Sequence, residues 1–266
     1  MADRTVGNGV WVYAVCSDLD EQNLRGPQGV DGEAPRVVRA ADLSAVVGSV
    51  DLARFGEEGL RRDLNDLHRL EAIARAHHDV VDAAARHRPV VPTRLATVYE
   101  DDRGVRAMLQ WHRDRLVAAL RRVEGRQEWG VKAYGVRDDQ RSSRPADPGD
   151  QAREGAGTAY LRRRQAALSS RETLRRSTIE GAEALYALLS ALAVAARRHR
   201  PQDPHLSGDP RWMVLNAAYL LDNGRVEAFG TAVTRSATAH PELAVELTGP
   251  WPPYSFAVLD DAREES

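Results

Sequence analysis

The sequence predicts an α+β protein built from two domains. The chain has 266 residues, which is enough for two domains of ordinary size. Short runs rich in valine and aromatic residues alternate with longer segments in which apolar residues recur at the helical period. One such helical segment, residues 60–87, passes directly into a strand-like run after Pro89, and proline ends helices. We therefore place the domain boundary here, between residues 1–88 and residues 89–266.

The N-terminal domain is predicted to be α+β, with three short strands and one long helix. Residues 10–16 form an apolar run that is typical of a buried strand, and the polar, glycine-rich residues 17–35 predict a loop. Residues 36–40 and 43–49 are interpreted as the two strands of a hairpin. Residues 60–87 predict a single amphipathic helix about 42 Å long. Three short strands cannot cover that length, so part of the helix is expected to pack on the second domain.

The second domain is predicted to begin with a strand at residues 90–99. An amphipathic helix follows at residues 103–123, and the acidic residues just before it suit the positive end of the helix dipole. Residues 128–136 alternate as a strand, with Trp129, Val131 and Ala133 on one face. The apolar residues of the next segment predict two helices within residues 158–200, with a bend near Gly181.

The remaining elements complete a recognisable order. They are a strand at residues 212–221, a helix at residues 225–239, a strand at residues 243–247 and an aromatic, proline-rich extended segment at residues 249–256. From residue 90 onward the order is strand, helix, strand, helices, strand, helix, strand. This order predicts a ferredoxin-like domain with a helical insertion at about residues 157–200.

Composition argues against several classes of partner. Charged residues make up 29 % of the chain, yet the net charge is only −2, so nothing draws the whole protein to nucleic acid or to a membrane surface. The longest apolar block, residues 182–196, is too short to span a bilayer. Cys16 is the single cysteine, which excludes an internal disulfide and fits a cytoplasmic location.

The residue patterns of catalytic and metal sites are not found in the sequence. His68, His77, His78 and His87 fall on the predicted long helix without an HExxH motif, and we interpret them as surface or edge positions. Cys16 lies in an apolar run, where a thiol acts as a small hydrophobic group. We therefore predict no enzyme, and we assign no catalytic, cofactor-binding or metal-binding residue.

Five residues are candidates for binding a partner. Glu128 and Lys132, the only lysine, share one strand face, and Arg94 on the first strand of the domain is expected near them. This charged cluster either receives a partner's strand or helix, or forms structural ion pairs at the domain interface. Trp251 and Tyr254 lie between prolines. They either anchor a partner or clamp the C-terminal segment onto the protein's own core, and we favour the clamp.

Several stretches resemble one known family. They are LRRDLNDLHRLEAIARAHHDVVDAAARHRPVVPTRLATVYEDD, EWGVKAYG, GTAYLRRR, LNAAYLLDNGRVEAFGTAV and ELTGPWPPYSF, which occur in this order between about residues 10 and 256. Together they resemble the gas vesicle protein F / gas vesicle protein L family. The differences fall at residues 17–35 and 137–154, which are interpreted as variable loops. The resemblance does not separate the F branch from the L branch.

The resemblance implies an accessory or minor protein of gas vesicles, the gas-filled protein shells found in the cytoplasm of some bacteria and archaea. It implies a non-enzymatic role in shell assembly, through association with the small hydrophobic shell protein and with other accessory proteins. We hypothesise that the open sheet face and the long helix form a cradle for the shell protein. Two alternatives are a ligand-binding sensor module on the ferredoxin-like sheet and a metal-dependent enzyme using the histidine-bearing helix.

Overall fold

A computed structural model describes residues 7–63, 66–136, 156–201 and 211–257 of the chain. It is an α+β structure with two antiparallel sheets, as the sequence predicts. The chain divides into two compact units. The first unit contains the residues up to Glu128 together with those from Pro250 onward, and the second contains Trp129–Gly249. The chain therefore passes between the units twice, and the division falls at residue 128 rather than at the predicted residue 88.

Within its described residues, the first unit contains a five-stranded sheet and five α-helices. The strands are β1 (Asn8–Cys16), β2 (Arg36–Ala40), β3 (Leu43–Asp51), β4 (Val90–Pro92) and β5 (Val98–Tyr99). The helices are α1 (Leu52–Phe55), α2 (Glu57–Asp63), α3 (Leu67–Ala85), α4 (Asp102–Trp111) and α5 (Arg113–Val123). The strand order is β2-β3-β1-β4, and β5 also pairs with β1. The predicted hairpin of β2 and β3 is confirmed, with Ala41 in the left-handed conformation at its turn.

The central strand β1 is buried on both faces. Its side chains from Trp11 to Cys16 are completely inaccessible to solvent. One face packs on apolar residues of α4 and α5, namely Val105, Leu109, Leu116, Leu120 and Val123. The other face packs on apolar residues of α3, namely Ile73, Val80, Val81 and Ala84, and on Phe55 of α1. The first sheet therefore has a helical layer on each side.

The predicted strand at residues 90–99 does not open the second sheet. It is divided into β4 and β5, and both pair antiparallel with β1 in the first sheet. The prediction that this strand begins the second sheet is wrong because a strand that is apolar on both faces, such as β1, needs a neighbour on each edge and a helix on each face. Strands β4 and β5 supply the second neighbour of β1, and helices α4 and α5 supply the second helical layer.

The predicted single helix of residues 60–87 is also corrected. It is two helices, α2 and α3, and residues 64–65 between them lie outside the described part of the chain. Asp66 caps α3 by accepting hydrogen bonds from the backbone nitrogens of His68 and Arg69, at 3.0 and 3.3 Å. An aspartate in this position starts a new helix. The 19 residues of α3 span only about 28 Å, so the length argument for packing on the second domain no longer holds.

The second unit is ferredoxin-like, but it begins with the strand predicted at residues 128–136 and includes a strand at residues 195–198 that was predicted as helix. Its elements are β6 (Arg126–Gly135), α6 (Ala156–Leu192), β7 (Ala195–Arg198), β8 (Trp212–Asp222), α7 (Val226–Ala239) and β9 (Leu243–Trp251). The strands lie in the order β7-β8-β6-β9. The core is formed by one face of the sheet together with α6 and α7, with Tyr219 and Phe229 near its centre. The predicted inward face of β6 is confirmed, because Val131 and Ala133 are buried and Trp129 packs against the same cluster.

The segment predicted as a helical insertion has another structure. Residues 156–192 form the single helix α6, which continues through Gly181 without ending. Residues 195–198 form β7, paired antiparallel with β8. The sequence AARR has a high helical propensity, and tertiary pairing overrides it here. The helix is therefore the first crossover of the ferredoxin-like unit rather than an insertion into it.

Candidate functional site

The loop between β4 and β5, residues 93–97, interrupts one edge of β1. The backbone nitrogen of Thr93 donates to the Tyr13 carbonyl at 3.0 Å, and the Thr93 hydroxyl donates to the Val12 carbonyl at 2.6 Å. The chain then leaves the sheet and returns where the Val12 nitrogen donates to the Thr97 carbonyl at 2.9 Å. Ala96 has a φ of 67°, a left-handed conformation that strains any residue with a Cβ. Such strain tends to be kept at functional loops.

This loop and the helices α4 and α5 enclose a small crevice of about 90 Å³, which we name the Arg94 crevice. Arg94 is exposed and lines the crevice. Apolar and aromatic side chains form much of the remaining wall, namely Val91, Pro92, Tyr99, Met108 and Leu116. An apolar crevice with an arginine among its lining residues suits an aliphatic side chain that is followed or preceded by a carboxylate.

Trp111 lies beside this crevice and was not predicted as a functional residue. It is 86 % exposed, the highest value among the large hydrophobic residues that the structure describes. It ends α4, three residues after Met108 and directly before His112, and both of these line the crevice. Residues three apart are neighbours on a helix surface. The sequence signal was a tryptophan in the polar context QWHRD, away from the apolar stripe of its helix.

Trp251 and Tyr254 both meet His78 on α3. The Trp251 ring lies edge-on to the His78 ring, with centroids 5.4 Å apart, and the Tyr254 hydroxyl lies 3.4 Å from His78 Nδ1. Tyr254 also packs against the core cluster on the α3 side of the sheet, while Ala257 is buried in the cluster on the α4 side. Residues 252–257, which we name the C-terminal tail, therefore dock on the first unit as a clamp.

Glu128 fastens this tail. Its carboxylate accepts hydrogen bonds from the backbone nitrogen of Ser255 at 2.7 Å and from the Ser255 hydroxyl at 2.6 Å. Glu128 is only 6 % exposed, so its carboxylate serves the tail rather than a surface. Lys132 is half-buried on β6 in the second unit. Of the predicted charged cluster, Arg94 is the member that the structure places on an exposed loop.

We expect Glu128→Gln to loosen the C-terminal tail. An amide replaces one accepting oxygen with a donor, so at least one of the two charge-assisted hydrogen bonds is lost, at a cost of about 1.5–3 kcal/mol. The measurement is hydrogen exchange at the amides of Phe256 and Ala257, which both donate to the Pro253 carbonyl. Glu124→Gln, at an exposed position four residues earlier, is the control. Equal exchange in the two variants would contradict this role of Glu128.

His77 is the histidine that the sequence interpretation misplaced. It is 3 % exposed, whereas His68 and His87 are exposed. Trp11 Nε1 donates a hydrogen bond to His77 Nδ1 at 3.0 Å, and the rings of Trp11 and Tyr13 pack against the imidazole. Burial lowers the pKa of His77 to about 4. The residue is therefore a neutral core histidine in the first unit, and its position on the apolar stripe of α3 was the available signal.

The described residues contain no group of three or more His, Cys, Asp or Glu side chains placed to hold a metal ion. Burial raises the pKa of the Cys16 thiol to about 12, so this cysteine is not a nucleophile. Within the same part of the chain, no helix has both the length and the apolar character needed to cross a membrane.

The fold is similar to two solved structures. The crystal structure of the gas vesicle protein GvpF from Anabaena sp. PCC7120 superposes with a TM-score of 0.63 at 18 % identity, covering 94 % of this chain and 96 % of that one. The crystal structure of GvpF from Microcystis aeruginosa gives a TM-score of 0.62 at 16 % identity, covering 95 % and 99 %. At these identities the likeness establishes the fold.

Sequence comparison establishes the family. The chain is 44 % identical over 256 residues to gas vesicle protein L of Streptomyces sp. (strain CB03234), covering 96 % of this chain and 95 % of that protein. It is 26 % identical over 264 residues to gas vesicle protein F2 of Halobacterium salinarum (strain ATCC 700922 / JCM 11081 / NRC-1), covering 97 % and 95 %. The sequence model of gas vesicle synthesis protein GvpL/GvpF matches residues 9–258, and the chain therefore belongs to that family, whose members take part in gas vesicle formation.

Proposed function

We propose that this protein acts in gas vesicle assembly by binding the small hydrophobic shell protein, together with other gas vesicle accessory proteins, in the cytoplasm and at the vesicle. The observation that supports this most directly is the exposed Trp111 beside the apolar Arg94 crevice. Tryptophan and arginine are the residues most enriched among those that dominate interface energies. Trp111 is 86 % exposed and buries little surface in the monomer, and its position beside an apolar crevice favours a binding role.

The chemistry of a gas-enclosing shell explains the need for such a partner. A shell subunit must present apolar surface to exclude water, and that surface aggregates before the shell closes. In our proposal, the Arg94 crevice covers one apolar side chain of the shell subunit. Trp111 packs against the residues of the subunit next to that side chain, and this keeps the subunit in solution. The positive charge of Arg94 favours a carboxylate near that side chain, which fixes the orientation of the bound subunit.

The other predicted residues have secondary parts in the proposal. Lys132 belongs to the second unit and is a separate candidate for pairing with an acidic residue of a partner. Trp251 is partly exposed, whereas Tyr254 is half-buried against the core. We propose that Trp251 and Tyr254 support the binding surface indirectly, by holding the C-terminal tail on α3 through His78.

We expect Trp111→Ala and Arg94→Glu each to weaken binding of the small shell protein by at least about tenfold, because truncated interface anchors commonly cost 2 kcal/mol or more. The measurement is co-purification of the tagged chain with the co-expressed shell protein, quantified against input. Arg121→Glu, an exposed charge reversal on α5, is the control and is expected to bind as the parent does.

The combined variant Arg94→Glu with Lys132→Glu tests the charge contribution of both units together. Shell protein recovered at the parental level with this variant and with Trp111→Ala would overturn the proposed surface. The biological role has its own test. Deleting the gene in its host and restoring it with the parent or with Trp111→Ala, scored by electron microscopy, is expected to give intact vesicles only with the parent.

A further inference from the structure

Helix α6 is much longer than its packing requires. Its 37 residues span about 55 Å. The side chains of Thr178, Ala182, Leu185 and Leu189 are buried in the second unit. Among the described side chains of residues 161–177, none is buried, and only Leu174 is half-buried. We name residues 161–177 the basic segment of α6. A helical stretch of this length gains little stability in water without a packing partner.

This basic segment concentrates positive charge in a chain that is slightly negative overall. Its sequence contains six arginines and one acidic residue, Glu172, whereas the whole chain has a net charge of −2. Arg175 stacks on the ring of Trp212, at 5.4 Å from the ring centroid. Within the described part of the chain, Arg164, Arg171 and Arg176 form no ion pair, and all three are exposed. Within the described residues, the charges of these three arginines are therefore not neutralised by an ion pair.

The apolar and basic residues of the segment are ordered along the helix. Leu161 and Leu168 are seven residues apart and are 62 % and 57 % exposed. Arg164 and Arg171 have the same spacing, and so do Gln165 and Glu172. Seven residues are close to two helical turns, so the two leucines form one stripe and the two arginines form a parallel row beside it. Leucines that repeat every seven residues with charged residues beside them are typical of a helix that packs against another helix.

We propose that the basic segment of α6 docks an acidic amphipathic helix of a partner protein. The partner's apolar residues cover Leu161 and Leu168, and its glutamates or aspartates pair with Arg164 and Arg171. Charge complementarity fixes the sign of the partner, because a basic row beside an apolar seam selects acidic residues at the flanking positions of the opposing helix. This surface belongs to the second unit, whereas the surface proposed for the shell protein belongs to the first.

Other occupants fit these residues less well. A second copy of the chain would bring two basic rows together, which is repulsive. Nucleic acid binds through the contacts of its phosphates with arginine and lysine, and the two exposed leucines would add nothing to such contacts. A membrane-surface helix needs a broad apolar face, and here Glu172 and Arg175 interrupt the stripe between Leu168 and Ile179. An acidic helix is the occupant that uses both the leucines and the arginines.

The test uses the purified full chain without the shell protein, so its result does not depend on the proposed function. The probe is a fluorescent designed peptide of four heptads, with leucine at the a and d positions and glutamate at the e and g positions. We expect it to bind in an anisotropy titration, and to bind at least about tenfold more weakly when salt is raised from about 50 to 500 mM. The same peptide with lysine at e and g is expected not to bind.

Variants locate the binding on α6. Arg164→Glu with Arg171→Glu, and separately Leu161→Ser with Leu168→Ser, are each expected to lower the affinity at least about tenfold. Arg225→Glu with Arg235→Glu reverses two exposed charges next to and on α7 and is expected to leave the affinity within about twofold. All of the substituted side chains are exposed, so the variants are expected to keep the parental circular dichroism spectrum.

Three results would overturn the proposal. The first is failure of the glutamate peptide to bind the parent. The second is binding that is unchanged in both α6 variants. The third is binding of duplex DNA, of phosphatidylserine vesicles or of a second copy of the chain that is lost in the α6 variants while the peptide does not bind. The vesicle, DNA and sedimentation measurements use the same purified protein and variants.

Discussion

Trp11→Ala is expected to lower the free energy of unfolding of the first unit by about 3–5 kcal/mol, the usual cost of truncating a buried tryptophan. Trp11 is completely buried at the centre of β1 and packs edge-on against Phe55, with ring centroids 5.7 Å apart. Its removal leaves a cavity between β1 and α3. It also leaves His77 Nδ1 without the hydrogen bond from Trp11 Nε1. The measurement is urea denaturation combined with hydrogen exchange at the β1 amides, because the two units need not unfold together.

The chain provides a matched control for this substitution. Trp111→Ala makes the same chemical change at an exposed site on α4 and is expected to alter stability by no more than about 0.5 kcal/mol. Trp11→Phe separates packing from hydrogen bonding, since it keeps a ring but removes the donor, and is expected to cost about 1–3 kcal/mol. Equal stability of Trp11→Ala and Trp111→Ala would contradict the assignment of Trp11 to the core.

The same contrast between Trp11 and Trp111 shows how far the sequence could predict the candidate site. Trp11 lies in an apolar run, and a buried strand follows from that pattern alone. Trp111 lies in a polar context near the end of a helix, where periodicity does not say whether a neighbouring loop covers the ring. Its significance depends on the loop at residues 93–97, which bulges from the sheet between β4 and β5. No local pattern marks that interruption within VVPTRLATVY.

The division of the fold shows a similar limit. Most strands of the second unit follow from local periodicity, because each carries its own apolar pattern, but β7 does not, and the sequence assigned the ferredoxin-like order to a partly different set of elements. The pairing of β4 and β5 with β1 is a contact between residues distant in the chain, and only one indirect feature of the sequence indicates it. That feature is the apolar character of β1 on both faces, which requires two helical layers. One predicted long helix could supply only one of them, and α4 and α5 supply the other.

His77 connects the fold to a measurable dependence on pH. Its pKa is lowered from 6.5 to about 4, mainly by burial, and the neighbouring His78 lowers it further while the Thr93 backbone raises it. Protonation would also place a proton on Nδ1, which accepts the hydrogen bond from Trp11. Between pH 6.5 and pH 4 the unfolded chain therefore binds more protons than the folded one. Stability falls as the pH falls through this window.

We expect His77→Asn to remove this part of the acid sensitivity. The contribution of His77 to unfolding free energy falls by about 2 kcal/mol from pH 7 to pH 4.5, and by about 3 kcal/mol at pH 4. Asparagine keeps an acceptor for Trp11 but does not titrate, so the variant loses stability less steeply, whatever its stability at pH 7. The measurement is urea denaturation across this range, with His68→Asn at an exposed position of α3 as the control. Parallel curves for parent and His77→Asn would show that His77 does not titrate in this way, and the acid sensitivity would then belong to the carboxylates.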